Sequence, residues 1–233
     1  MGVIRNNLIK TRLKLKGRTL NYLNELNRQQ WLSEEQIREI QRQKLENLLF
    51  HAYHNVPFYR KQLKEYAVID NNGKVNIKNF TNLPLLEKED IRKSFEELKS
   101  NDLQLRSWYE NTSGGSTGEP TLFIQDKDYF EWSRASKILF DEWTDYKLGD
   151  KKVVLWGSER DLLIGKQTFK TKIGKFLRNE IWLNAYRMTD DQMYEYIRQI
   201  NKFKPVQILA YVGSIYELAK FIKERNIYIH SPK

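Results

Sequence analysis

Apolar positions recur at helical spacing through the first hundred residues, and then break into short apolar runs separated by helical stretches. Ile37, Ile40, Leu45, Leu48, Leu49 and Ala52 fall on one side of a helix. Ser33-Glu-Glu-Gln36 just ahead of them is a capping box, with Leu32 and Ile37 placed as its hydrophobic staple. Pro57 predicts where that helix stops. Asn71-Asn-Gly73 reads as a turn, and Leu83-Pro84 opens a helix from about Lys88 to Leu98. Further on, Thr121 to Gln125 is a β-rich run, and Asp126 can cap a helix reaching about Tyr146. Lys152 to Trp156 reads as a buried strand. Thr189-Asp-Asp-Gln192 is a second capping box with Met188 and Met193 as its staple, and its helix stops before Pro205. Val206 to Val212 reads as a strand, Ser214-Ile-Tyr-Glu217 as the cap of another helix, and Ile227-Tyr-Ile229 as the start of a further strand. Strands alternating with helices of this length predict an α/β fold with a largely parallel sheet, preceded by a helical segment. The chain divides on this pattern into 1–30, 31–106 and 107–233.

Composition narrows the class. With 40% hydrophobic and 13% aromatic residues among 233, the chain can bury a core and is not a disordered tail. No apolar run is long enough to span a bilayer. The start, MGVIRNNLIK, lacks the apolar core of a secretory signal, and Asn6 stands where a myristoylation motif needs Ser or Thr. The absence of cysteine excludes disulfides, thiolate metal sites and cysteine nucleophiles, and points to the cytoplasm.

The formal charge of +10 favours anionic partners without choosing among them. Before Glu25 the chain carries Arg5, Lys10, Arg12, Lys14, Lys16 and Arg18 with no acid, interleaved with Ile4, Leu8, Leu13 and Leu15. That pattern can serve a basic helix in peripheral contact with an anionic membrane surface, but a solvated helix docked on its own domain is the favoured expectation.

The chemistry concentrates in Asn111-Thr-Ser-Gly-Gly-Ser-Thr-Gly-Glu-Pro120. Glycines let successive N–H groups converge on an anion, and Thr112, Ser113, Ser116 and Thr117 add hydroxyl donors, a combination suited to phosphate. Three known glycine patterns can be tested against it. A Walker A loop fails, because Gly114 and Gly118 are one residue too close and Glu119 replaces the lysine. The dinucleotide fingerprint fails, because Ser113 holds its first glycine position. Gly114-Gly-Ser116-Thr-Gly118 satisfies the nucleophile elbow of α/β-hydrolases, with Ser116 as nucleophile and His230 as a downstream base. That elbow must run directly into a helix, whereas the residues after Pro120 read as strand. The loop is therefore expected to join two β-strands, the second containing Leu122 to Ile124.

The segment T-S-G-G-S-T-G-E-P closely resembles the phosphate-binding loop of the adenylate-forming (acyl-CoA ligase) superfamily. Its Gly-Gly form followed by Pro-Thr resembles the phenylacetate-CoA ligase branch, including CapK-like members linked to capsular or surface-polysaccharide biosynthesis. Asn55-Val-Pro-Phe-Tyr-Arg60, Leu83-Pro84 with Lys88-Glu-Asp-Ile-Arg92, and Phe203-Lys-Pro205 with Tyr211-Val-Gly-Ser214 and Leu218-Ala219 resemble further segments of that branch in the same order. The likeness runs from about Trp31 to the C-terminus. It implies an enzyme that condenses a small-molecule carboxylate with ATP, releases pyrophosphate from an acyl-adenylate, and passes the acyl group to a thiol such as coenzyme A. It also implies that Ser113, Gly114, Gly115, Ser116, Thr117 and Gly118 surround the ATP phosphates, with Mg²⁺ neutralising charge. Members are longer. This sequence lacks the later aromatic-Gly-x-[TR]-Glu motif, the ribose-binding aspartate and the small C-terminal domain. The resemblance therefore implies the N-terminal half of an adenylation domain, truncated, inactive alone and complemented by a missing C-terminal half.

Other residues carry weaker signals. His51 and His54 are three apart near a helix end, but no third metal ligand is near in sequence, so packing or hydrogen bonding is the expected role and no metal is assigned. Glu87, Glu89 and Asp90 sit where acids favour the first turn of a helix. Trp156-Gly-Ser158 and Tyr211 to Ser214 follow predicted strands, at the edge where α/β proteins hold ligands. Trp156, Gly157, Tyr211, Gly213 and Ser214 are accordingly candidate lining of a carboxylate-substrate pocket. A non-catalytic phosphate- or nucleic-acid-binding module is the alternative that the charge and aromatic content allow, although no specific nucleic acid is expected.

Overall fold

The computed structural model describes residues 2–70, 72–113, 120–157, 174 and 176–232. The chain forms two compact units: Asn21–Ala135, and Met1–Leu20 together with Ser136–Lys233.

The helical part of the first of these is built on α3 (Glu34–Asn55) and α4 (Pro57–Glu65). Ser33 opens α3 with the predicted capping box: its Oγ accepts from the Gln36 N–H at 3.3 Å, and the Gln36 side chain accepts from the Ser33 N–H at 3.0 Å. Pro57 ends α3 and, at the first helical position, starts α4, where its missing N–H costs nothing. Leu49 of α3 packs with Leu63 of α4 and with Val68 and Ile69 beyond it, flanked by Leu45 and Ala52. Leu48 lies at the rim of that stripe and is exposed, so the predicted apolar set is narrower than its periodicity suggests. The turn after Ile69 is closed by the Asp70 N–H to the Lys74 carbonyl at 3.1 Å, with Gly73 at φ +80°; Asn71 lies outside the described residues. The helix expected from Lys88 to Leu98 is only α5 (Lys88–Lys93), followed by looser turns. Asp90 accepts from the Glu87 N–H at 3.0 Å and Glu89 pairs with Arg92, so these acids serve the helix start. In the same unit α2 (Thr19–Gln29) sets Tyr22 against Trp132, ring centroids 4.1 Å apart, and donates the Tyr22 hydroxyl to Asp128 at 3.0 Å.

The unit then forms an antiparallel hairpin, β1 (Trp108–Thr112) with β2 (Leu122–Asp126), in register from Trp108↔Asp126 to Thr112↔Leu122. Asp126 caps α6 (Lys127–Glu142) as expected, accepting from the Tyr129 N–H at 2.7 Å. The helix stops at Glu142 rather than Tyr146, and Asp145 follows in the left-handed region at φ +57°.

The other unit carries a three-stranded parallel sheet of order β4-β3-β5, with β3 (Lys152–Leu155) central between β4 (Glu180–Leu183) and β5 (Gln207–Ala210). All four residues of β3 are buried. Its one charged member, Lys152, donates from Nζ to both Asp141 carboxylate oxygens at 2.7 Å. Val153, Leu155 and Leu183 pack with Met193, Tyr196, Ile197 and Ile200 of α7 (Asp190–Phe203) and with Leu218 and Phe221 of α8 (Val212–Glu224). Thr189 opens α7 through the predicted capping box. Lys204 closes it in the left-handed region at φ +54°, immediately before Pro205.

Two expectations are corrected here. Ser214 does not cap a helix: α8 starts at Val212, with Tyr211 as the N-cap, because β5 ends at Ala210. Ile227 to Ile229 forms no strand. Ile227 and Ile229 pack on the core from one side. The backbone there bonds to a side chain, the Asn201 amide reaching the Tyr228 carbonyl at 3.0 Å and accepting from the His230 N–H at 2.6 Å. Helix α1 (Gly2–Lys16) belongs to this unit and sits on Gly149, whose φ of +90° brings it so close that an added Cβ would lie 3.0 Å from Arg5 Cβ and 3.3 Å from the Asn6 nitrogen.

Leu155 and Leu209 both lie on this sheet, but Leu155 is 1% exposed and Leu209 44%. Leu155→Ala is expected to lower unfolding free energy by about 2–5 kcal/mol. Leu209→Ala is expected to cost no more than about 1 kcal/mol. Urea denaturation followed by circular dichroism measures both, and equal costs would contradict the central position of β3.

Candidate functional site

The glycine segment hangs from the free end of the β1–β2 hairpin. Past the last strand pair, Thr112↔Leu122, the ladder continues one step as the Ser113 N–H donates to the Thr121 carbonyl at 2.9 Å. The Thr121 N–H returns a bond to Ser113 Oγ at 2.9 Å. The neck is thus closed from both sides, and the serine hydroxyl is an acceptor in it. Of the residues assigned to phosphate, Ser113 sits at this neck, while Gly114, Gly115, Ser116, Thr117 and Gly118 lie outside the described residues, as does Glu119. The segment leaves and re-enters as strand, which is the expected placement. A nucleophile elbow would have run into a helix here. His230, the base such an elbow would need, places Nε2 3.2 Å from the Pro205 carbonyl.

The opposite end of the hairpin is anchored by charge. Arg106, two residues before β1, reaches Asp126 at the end of β2 at 3.5 Å, pairs with Asp102, and lies 3.1 Å from His51 Nε2. His51 also meets Ser100 Oγ at 3.3 Å and the Asn55 amide at 3.1 Å, whereas His54 bonds through Nδ1 to the Phe50 carbonyl at 2.8 Å. The two histidines therefore serve different hydrogen-bond partners. Hydrogen bonds from Arg106 and then Ser100 hold the Asp102 carboxyl down at about 2. This network ties the hairpin base to α3, and fixes where the glycine segment emerges.

The second set of candidate residues gathers at the carboxyl end of the parallel sheet. Trp156 follows β3 and Tyr211 follows β5, and their rings stack at 3.7 Å between centroids with 22° between planes. Both remain about two-fifths exposed, so the pair presents aromatic surface rather than filling the core. Gly157, at φ +142°, is pressed against Asn184, and a Cβ there would lie 3.2 Å from its amide nitrogen. Among the described residues nothing lies within 4 Å of a Cβ added at Gly213, and Ser214 is half-buried in the first turn of α8. The Tyr211 side chain makes no cap bond to that helix, so its first-turn N–H groups carry the positive end of the dipole without that partner. Ser158 lies outside the described residues. Sequence reasoning missed Asn184, whose Oδ1 accepts from the Tyr186 N–H at 2.7 Å and whose carbonyl accepts from the Tyr196 hydroxyl at 2.8 Å. Its signal was positional, the residue just past a strand, but β4 itself had not been recognised.

No protein-family model matches the chain. Among curated proteins, Protein CapK of Staphylococcus aureus is 27% identical over 225 residues, covering 94% of this chain and 47% of CapK. Among solved structures, 2-hydroxyisobutyryl-CoA ligase in complex with 2-HIB-AMP and CoA, in the thioesterification state, matches with a TM-score of 0.51 at 15% identity, over 84% of this chain and 41% of that one. An open conformation of the same ligase gives a TM-score of 0.45 at 14% identity. The chain spans about half the length of the curated relative it matches. The likeness to the first ligase structure is one of fold. Together with the CapK similarity, it supports the resemblance to the adenylate-forming superfamily over the N-terminal half only.

Two outcomes follow from the hairpin. Thr121 is 5% exposed, and its Oγ1 meets no partner among the described residues. Thr121→Val is therefore expected to raise stability by roughly 1 kcal/mol in urea unfolding, since an unpaired buried hydroxyl costs more than a methyl group; a loss of stability would reveal a hidden partner. Asp102, depressed to about 2 in the fold, stabilises above its unfolded value, and that contribution is lost as pH falls from about 4 towards 2. Arg106→Gln should shrink the stability change across that window and raise the Asp102 carboxyl in an NMR titration. An unmoved carboxyl would deny Arg106 its role.

Proposed function

We propose that this chain supplies the phosphate-binding half of a phenylacetate-CoA ligase-like, adenylate-forming enzyme. Completed by its C-terminal half, that enzyme activates a small-molecule carboxylate with MgATP and transfers the acyl group to a thiol such as coenzyme A. The single observation that carries this is the Ser-Gly-Gly-Ser-Thr-Gly-Glu-Pro segment, Ser113 to Pro120, suspended from a closed hairpin neck. The CapK similarity supports it, and we extend the reading to a setting in capsular or surface-polysaccharide biosynthesis. We assign the reaction to the cytoplasm.

In the proposed reaction a carboxylate oxygen attacks the α-phosphorus and pyrophosphate leaves; a thiol sulfur then attacks the acyl carbon and AMP leaves. This chain's part in the first step is electrostatic. Backbone N–H groups of Gly114, Gly115 and Gly118 and hydroxyls of Ser116 and Thr117 are donors suited to the departing phosphate oxygens, in a loop whose ends cannot spread. Ser113 uses its oxygen at the neck, and its own hydroxyl proton is not consumed in that bond. Mg²⁺ is taken to enter as the counter-ion of ATP. No step is assigned to an ion held by this chain. For the carboxylate's organic portion we assign the stacked Trp156 and Tyr211, with Gly157, Gly213 and Ser214 leaving room and backbone donors beside them.

The chain by itself is expected to show no carboxylate-dependent ATP–pyrophosphate exchange; clear exchange with any aryl or fatty acid would show the absent half to be dispensable. In the completed enzyme Thr117→Val keeps shape and removes a donor to a charged group, worth roughly 1.5–3 kcal/mol, so kcat/KM for MgATP should fall roughly ten- to a hundredfold. Gly115→Val should cost more. Thr121→Val, altered at the neck, is the control, and the phosphate assignment fails if it behaves like Thr117→Val in a protein whose fold is unchanged.

A further inference from the structure

Helix α1 offers two faces of opposite character. Through Arg5 and Asn6 it rests on Gly149, and Ile9 and Leu13 on the same side are half-buried. Ile4, Leu8 and Leu15 are exposed by 67%, 58% and 81%. At 3.6 residues per turn these three positions fall within about 40° of one another, forming a single aliphatic row along the helix. Arg12 lies beside the row on one side and Lys14 on the other, beyond the neutral Thr11 and Asn7; Lys10 and Lys16 add exposed cations, and no acid occurs in the helix. Phe176, 70% exposed, lies beneath the Arg5 guanidinium at 5.3 Å and adds an aromatic ring beside the helix.

We propose that this outward face of α1 docks on an anionic lipid surface, with Ile4, Leu8 and Leu15 entering the acyl boundary and the surrounding lysines and arginines meeting lipid phosphates. Isolated exposed aliphatics are ordinary on a protein surface, but an aligned row whose charged neighbours on the helix are all cations is not. A nucleic acid would use the cations and leave the aliphatic row wet. A second copy of this chain would bring the same cations against themselves. A lipid surface satisfies both features at once, because long basic side chains lie along apolar surface and lift their charges to the headgroups. The proposal is independent of the ligase reading.

The test is co-sedimentation of the 233-residue chain with vesicles of phosphatidylcholine alone, or of phosphatidylcholine mixed with phosphatidylglycerol, in low and high salt. Partitioning should be at least roughly tenfold stronger on the anionic vesicles and should fall in high salt. Replacing Ile4, Leu8 and Leu15 together by serine should weaken it roughly tenfold or more; these side chains are exposed, and circular dichroism checks that the fold is kept. Changing Lys10, Arg12, Lys14 and Lys16 to glutamine should weaken it further, at roughly fivefold per cation. Absence of binding, equal binding to both vesicles, or a serine variant that binds like the parent would overturn the proposal. The last outcome would leave only a polycation effect. A larger species on size-exclusion chromatography that the serine variant abolishes, without vesicle binding, would assign the face to a second copy and overturn it as well.

Discussion

A strand with neighbours on both edges and side chains buried on both faces has no access to water, so each of its polar groups must be satisfied within the protein. β3 meets this demand in four residues. Its ladders run to β4 and β5, Val153, Val154 and Leu155 are apolar, and Lys152 is neutralised by Asp141. The parallel sheet, the seating of α7 and α8 on it, and the position of every residue at its carboxyl end follow from that arrangement. Removing one partner of the Lys152–Asp141 pair would leave a charge stranded at a buried edge, which costs far more than the pair itself contributes.

The hairpin solves a different problem. A segment rich in glycine loses much conformational freedom when it is ordered, and it needs a rigid frame if it is to meet a ligand in one shape. The reciprocal bonds between Ser113 and Thr121 close the frame at one end, and the Arg106 network fixes it at the other. Neither device depends on burying a large apolar area, since β1 is exposed along its whole length. Polar anchoring thus substitutes for a core at the place where the chain approaches its proposed ligand.

Much of this was legible in the sequence, and the failures have physical causes. Ser33 and Thr189 announce helix starts because a capping box is a local interaction complete within four residues. Pro57 and Pro205 mark boundaries for equally local reasons. β4 (Glu180-Ile-Trp-Leu183) escaped notice because its assignment depends on pairing with a strand some thirty positions earlier. Ile227 and Ile229 misled because alternation records one-sided burial, whereas the backbone there is satisfied by Asn201. Ser214 looked like a cap because its chemistry suits one; the end of β5 decided the helix start instead. For the candidate site, the glycine segment was visible from its residues alone. Asn184, against which Gly157 is pressed, was not, since an asparagine gains meaning only from the strand before it.

The seating of α1 on Gly149 also has a kinetic side. Nearly the whole sheet unit is encoded after Ser136, so α1 leaves the ribosome on the order of a hundred residues before the surface that holds it. At about 5–20 residues per second, that interval lasts roughly ten seconds. Helices and small collapsed clusters form in microseconds or faster, so the Asn21–Ala135 unit can organise while α1 waits. During synthesis both faces of α1 therefore meet the surroundings of the nascent chain, and a nearby anionic surface can take the outward, aliphatic face before the inner face of Arg5, Asn6, Ile9 and Leu13 is seated on Gly149.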